Sequence, residues 1–177
     1  MNHLGTVKLE TKRLILRRYE LNDYKDMYNN WANDDLVTKY MSWPTHQNEE
    51  VSKAVVNMWI KEYKQINNYQ WCIALKEDNV AIGSISLLHQ NDDKKEIEFG
   101  YCISRKHWNK GITTEALKAV IEFAFSLGYT TIIGKHVKEN QASGKVMLKN
   151  GLTFVKEELG KNNQNEDCII YVYELKK

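Results

Sequence analysis

The chemistry this chain first offers is that of a turn able to bind an anion, the stretch Trp108-Asn109-Lys110-Gly111-Ile112-Thr113-Thr114-Glu115. The turn lies between two apolar patterns of different period. Ahead of it Ile97, Phe99, Tyr101 and Ile103 alternate with Glu96, Glu98, Gly100 and Cys102, as in a half-buried strand. Behind it Leu117, Val120, Ile121, Ala124 and Leu127 recur at helical spacing until Gly128 closes the run. A turn that opens straight into a helix leaves backbone N–H groups without internal partners at the positive end of the helix dipole, so it can bind an anion. Arg105, Lys106 and Lys110 supply cations nearby. Gly111 is the turn's only glycine, so neither a Walker loop nor a three-glycine dinucleotide fingerprint matches. On residues alone, an anion site and a plain strand-to-helix connector both stay open.

The rest of the chain must position that turn. Leu14 and Leu16 alternating with Arg13, Ile15 and Arg17 predict a strand within residues 13–19. Asn22 can cap a helix carrying Tyr24, Met27, Tyr28 and Trp31, which should stop near Asn33. After Trp43-Pro44, Thr45 or Asn48 can cap a second helix whose apolar positions are Val51, Val55, Met58, Trp59 and Tyr63. Residues 69–75 and 80–89 read as a hairpin around Lys76-Glu77-Asp78-Asn79, with Gly83 marking a bulge or a close backbone approach. They continue antiparallel into the strand ending near Ile103. The helix after the turn then returns to a strand at Thr130–Ile133, and a strand, helix, strand unit implies a parallel pair. Asn140 begins a further helix that ends at Asn150-Gly151, and two strands, 152–159 and 168–173, follow around a polar loop.

Composition narrows the class. The chain has 177 residues, 27% charged and 42% hydrophobic, with no Pro- or Ser-rich divider, so one domain spanning 1–177 is expected. A net charge of +2 with dispersed Lys and Arg argues against a nucleic-acid partner. Neither a secretory pattern nor a run of about 18 apolar residues is present, so no membrane partner and a cytoplasmic location are expected. Cys72, Cys102 and Cys168 each fall in an expected strand and read as core thiols, and the five histidines have no metal-ligand spacing. No metal is expected.

Three pieces of sequence together resemble a known family. Glu98-Phe99-Gly100-Tyr101-Cys102-Ile103 with Trp108 to Leu117 resembles motif A of the GCN5-related N-acetyltransferases (GNAT), most closely the branch that acetylates ribosomal-protein N-termini. Leu9 to Arg17 with Asp23 resembles that branch's opening strand, and Asn140-Gln141-Ala142-Ser143 with Val146, Lys149 and Gly151-Leu152 its late helix-to-strand signature. Trp108, Asn109 and Thr113 depart from the broad superfamily's Q/R-x-x-G-x-G/A, and Leu152 stands where the branch has phenylalanine. The resemblance implies an α/β (α+β) fold, a mixed, mostly antiparallel, centrally splayed sheet of about seven strands flanked by about four helices.

It further implies acetyl-CoA as cosubstrate, with its pyrophosphate on the backbone amides of Asn109, Lys110, Gly111, Ile112, Thr113 and Thr114 beside Trp108. The pantetheine arm would run along Tyr101, Cys102 and Ile103 like an added strand, with Asn140 bonded to it and Ser143, one helical turn on, facing the thioester sulfur. Amine attack on a thioester needs a neutral nucleophile, a donor for the carbonyl oxygen and a proton for the leaving thiolate. Glu98 is the candidate base, its pKa raised by neighbouring aromatics, and Ser143 the candidate proton donor, with backbone N–H groups near Tyr101 or Cys102 as oxyanion donors. A glutamate that merely pairs with a cation fits Glu98 as well, and an N-cap with a surface serine fits Asn140 and Ser143. Trp31, Tyr40, Trp43 and His46 cluster where the family covers its acceptor, and core packing of the two helices accounts for them equally well. The acceptor is expected to be a primary amine, at a protein N-terminus or on a polyamine, amino acid or aminoglycoside, acted on by a monomer or homodimer. A non-catalytic acyl-CoA-binding module is the alternative.

Overall fold

The computed structural model describes residues 1–177. The strands are β1 (Leu9–Glu10), β2 (Leu14–Arg17), β3 (Tyr69–Leu75), β4 (Ala81–Asn91), β5 (Glu96–Ile103), β6 (Thr131–Val137), β7 (Thr153–Lys161) and β8 (Asp167–Lys176). The helices are α1 (Asp23–Met27), α2 (Asp35–Thr38), α3 (Glu49–Glu62), α4 (Ile112–Leu127) and α5 (Gln141–Lys149). One sheet of eight strands runs β1-β2-β3-β4-β5-β6-β8-β7, antiparallel throughout except for the parallel pair β5–β6. It is the mixed, mostly antiparallel sheet expected. The added strand is the two-residue β1, and the added helix is the single turn α2.

The sheet separates two cores. Trp71, Ile73, Ile97, Phe99 and Ile132 face α4 and pack on Leu117, Val120 and Ala124. Cys72, Ala74 and Cys102 face the other way, toward Met27, Trp31 and Val56. Every residue from Tyr69 to Ala74 is therefore buried, which is why Trp71 to Leu75 of β3 read as a continuous apolar run rather than an alternation. All three cysteines are free thiols within strands. No helix is long and apolar enough to cross a membrane.

Two local expectations need correction. Asn22 stands at the N-cap of α1 but makes no side-chain cap. The Asp23 carboxylate turns away from the helix, accepting from the Glu20 N–H at 2.6 Å while Arg17 donates to both of its oxygens at 2.7 and 2.9 Å. In α3, capped by Asn48 as expected, Val51 and Met58 are exposed, and Ser52 and Val56 are the buried positions. Val55, Trp59 and Tyr63 pack against the core as expected, together with Val56 and Ile60.

Two features of the sheet shape what lies at its centre. Ile73 pairs with Gly83 and Ala74 with Ala81, leaving Ile82 as the extra residue of a bulge. At Gly83 an added Cβ would lie 2.5 Å from the Cys102 carbonyl oxygen and 3.1 Å from the Ile103 Cα, so β4 and β5 approach closely there. On the other side of β5, pairing with β6 starts at Glu96↔Thr131 and stops at Phe99↔Gly134. Beyond that point Gly100–Ile103 stay paired to β4 alone, and the sheet splays open.

Candidate active site

A cavity of about 490 Å³ sits in the splay. Its walls are β5, the turn before α4, α5 and the α2 segment. Of the residues expected at a site, Tyr101, Cys102, Ile103, Trp108, Asn109, Gly111, Ile112, Thr113, Thr114, Asn140 and Ser143 all line it. Lys110 and Glu98 do not.

The turn is built by backbone geometry. Arg105–His107 form one 3-10 turn, and the Trp108 indole N–H then folds back to donate to the Ile103 carbonyl at 3.0 Å. Asn109 and Gly111 both take left-handed conformations, with φ of 59° and 73°. Asparagine tolerates that region better than other side-chain-bearing residues, so Asn109 reproduces the conformation a glycine would supply. Gly111 is the N-cap of α4 and has no side chain to satisfy the first-turn N–H groups, which are left for an anion.

Side chains from distant parts of the chain pin this turn. Glu115 Oε1 accepts from the Thr11 hydroxyl at 2.6 Å and from the Arg13 backbone N–H at 2.8 Å, while Oε2 accepts from Arg13 Nε at 2.7 Å. Arg13 also donates to the Lys110 carbonyl at 2.8 Å. Burial pushes the Glu115 carboxyl up, but these donors outweigh it and hold it below the usual range. From α5, Asn150 donates to the Thr114 carbonyl at 3.3 Å.

At the inner end of the cavity, the Tyr101 and Ser143 hydroxyls lie 2.8 Å apart, and Tyr101 also donates to the Ser143 carbonyl at 3.2 Å. Phe99 stacks on Tyr101 at 5.8 Å. Burial raises the Tyr101 pKa, so the phenol keeps its proton at neutral pH and can act as a donor. Burial likewise pushes the Cys102 thiol up to about 12, which makes it a neutral wall rather than a nucleophile. Asn140 caps α5 by accepting from the Ser143 N–H at 3.3 Å, leaving its amide N–H₂ available.

Glu98 lies on the sheet face opposite Phe99 and Tyr101, as its alternation requires. Its surroundings are not the aromatic ones expected. Its carboxylate sits 3.2 Å from Lys135 Nζ and 3.5 Å from His89 Nδ1, with its side chain 15% exposed. Lys135 also reaches Glu158 at 3.3 Å, and although burial opposes its charge, the two carboxylates raise its pKa and keep it protonated.

Three groups escaped the sequence reading. His107 lines the cavity with its Nδ1 buried and unpartnered, and burial together with Lys110 and Lys106 keeps it neutral. His136 donates from Nδ1 to the Val137 carbonyl at 2.7 Å, which leaves Nε2 unprotonated and without a partner beneath α5. An added Cβ at Gly144 would stand 2.8 Å from that nitrogen. Lastly, Leu36, Val37 and Met41 form one whole wall with Tyr40, the one member of the expected aromatic cluster that lines the cavity, and a single helical turn has too little periodicity to announce itself.

Residues 13–153 match the family model described as an acetyltransferase (GNAT) domain. An uncharacterized N-acetyltransferase, p20 of Bacillus licheniformis, is 32% identical over 152 residues, covering 85% of this chain and 84% of that protein. Among solved structures, a GNAT-family acetyltransferase from Bacillus anthracis superposes with a TM-score of 0.83 at 24% identity, over 96% of this chain and 98% of the other. RimL, a ribosomal L7/L12 alpha-N-protein acetyltransferase solved with coenzyme A, gives the same TM-score of 0.83 at 17% identity, over 96% and 98% of the two chains. At such identities the structural likeness speaks to the fold.

Proposed function

The chain belongs to the acetyltransferase (GNAT) family, and from that premise we propose that residues 1–177 act as one domain that transfers an acetyl group from acetyl-CoA to a primary amine. One observation carries this reading. An anion-binding turn continues into an unpaired strand edge that ends at a hydroxyl pair, all within one cavity. That succession fits the pyrophosphate, the amide-bearing arm and the thioester of acetyl-CoA in order. RimL, which shares the fold, was solved with coenzyme A.

In this reading the backbone amides of Asn109–Thr114 bind the pyrophosphate, with Lys110 contributing charge and Trp108 walling the turn. Tyr101, Cys102 and Ile103 offer the main-chain groups that β6 leaves unpaired, and Asn140 donates its free amide hydrogens to the same arm. Bound acetyl-CoA supplies an activated acyl group. A backbone N–H near Tyr101 or Cys102 faces the carbonyl oxygen as charge develops on it. Glu98 receives the proton the amine gives up, directly or through water, and Ser143 returns one to sulfur, replenished by the Tyr101 phenol 2.8 Å away.

The reading is tested by incubating the protein with acetyl-CoA and a panel of peptide and small-molecule amines, following free thiol and product mass. Amine-dependent thiol release is expected. Coenzyme A binding without turnover of any amine would leave a binding module instead. A second test addresses the turn. Gly111→Val forces a β-branched residue to φ near 73°, at a strain of about 1–3 kcal/mol, although only Arg13 Nη2, at 3.6 Å, lies near the added Cβ. Coenzyme A affinity measured by calorimetry should fall about tenfold or more. Wild-type affinity would remove the turn from the site.

A further inference from the structure

The wall opposite α5 is a strap, residues 34–41, that crosses the mouth of the splay. Two contacts tether it. Asp34 pairs with Arg105 Nε at 2.9 Å, beside the end of β5, and Asn163, from the β7–β8 loop, donates to the Thr38 carbonyl at 3.1 Å. Asp34 also caps α2 by accepting from the Leu36 N–H at 3.0 Å, and Asp35 accepts from the Thr45 hydroxyl at 2.6 Å. Both carboxylates are thus engaged in holding the strap together. The side chains it presents to the cavity are Leu36, Val37, Tyr40 and Met41. Val37 is buried, but Leu36 remains 52% exposed.

The charges around the cavity point the same way. Its ionised lining consists of Glu139 against Lys145 and Lys149. Lys39 adds a further ammonium at the rim, 5.1 Å from the centre of the Tyr40 ring. A carrier bearing several ammonium groups finds both strap carboxylates already engaged and meets Lys39 at the rim, whereas an uncharged apolar carrier covers four apolar side chains.

We propose that the acceptor is a single primary amine borne on an apolar, uncharged body, an arylalkylamine or a peptide beginning with an apolar residue, and that Leu36, Tyr40 and Met41 select it. This rests on the transferase reading above. A cosubstrate lying along β5 and under α5 leaves the strap as the wall from which the amine reaches the thioester carbon. The C–N bond forms as the C–S bond breaks. Of the two amine hydrogens, one remains on the amide and the equivalent of the other ends on the coenzyme A thiol.

The test compares kcat/KM, at saturating acetyl-CoA, for phenethylamine, a short peptide beginning with leucine, spermidine and kanamycin. The apolar monoamine or the peptide should exceed both polycations by about tenfold or more, and the better of the two identifies the source of the amine. Leu36→Asp and Met41→Asp should each reduce that ratio by about tenfold, with calorimetric coenzyme A affinity and melting temperature as checks on the fold. Preference for spermidine or kanamycin in the unaltered protein, or an unchanged ratio in both variants, would overturn the selectivity. A failed selectivity still releases thiol. Silence with every amine removes the transferase reading and this inference together.

Discussion

Exchanging Glu98 for glutamine lowers kcat by about a hundredfold and leaves coenzyme A affinity within about twofold. The substitution preserves the shape of the side chain and an oxygen for Lys135, which lies 3.2 Å from the carboxylate, while removing the capacity to take up a proton. Lys135→Met provides the contrast, since it takes away the cation and leaves the carboxylate. If Glu98 served only to pair with Lys135, both variants would shift the melting temperature slightly and neither would change kcat. The second pairing of Lys135, with Glu158 at 3.3 Å, limits any structural cost of the glutamine. An unaltered kcat in Glu98→Gln would take this residue out of the mechanism.

Gly83→Ala is expected to be the most damaging small substitution in the sheet. The new methyl group would stand 2.5 Å from a backbone oxygen, that of Cys102, and 3.1 Å from the Ile103 Cα. Neither atom can rotate away as a side chain would. Overpacking of this kind costs about 2–3 kcal/mol, which in a chain of this size lowers the melting temperature by about 5–10 °C. Gly100→Ala is the control for stability, because the nearest atom to its Cβ is the flexible Leu88 Cδ1 at 3.3 Å. A melting curve for Gly83→Ala that overlays the Gly100→Ala curve would show that β4 and β5 part without cost. Since Cys102 and Ile103 also line the cavity, relief of the clash should weaken coenzyme A binding as well.

What could be read in the sequence was what repeats locally. The alternation of Ile97 to Ile103, the helical spacing after Gly111 and the caps at Asn48 and Asn140 each depend on near neighbours, and each corresponds to an element of the fold. The mixed sheet and its parallel pair followed from the order of those elements. Partnerships between distant residues left no such trace. Nothing in the spacing of Glu98 and Lys135 announces an ion pair, and nothing in Thr11, Arg13 and Glu115 announces that two stretches matching the family are clamped to each other. The packed face of α3 was misread at two positions, since Val51 and Met58 are apolar yet face solvent while Val55, Trp59 and Tyr63 pack inward. Of the strap only Tyr40 drew notice, because the four residues of α2 make barely one turn.

The splay has a consequence for the kinds of molecule that can enter it. Where β5 leaves β6 after Phe99, the protein carries a strand edge in its interior, hemmed by α5 on one side and the strap on the other. Edges on the outside of sheets invite pairing with other chains and have to be guarded by charge, proline or bulges. This one is guarded by its walls. A slender linear molecule with amide groups spaced along it can use the hydrogen-bonding sites that a neighbouring strand would otherwise fill.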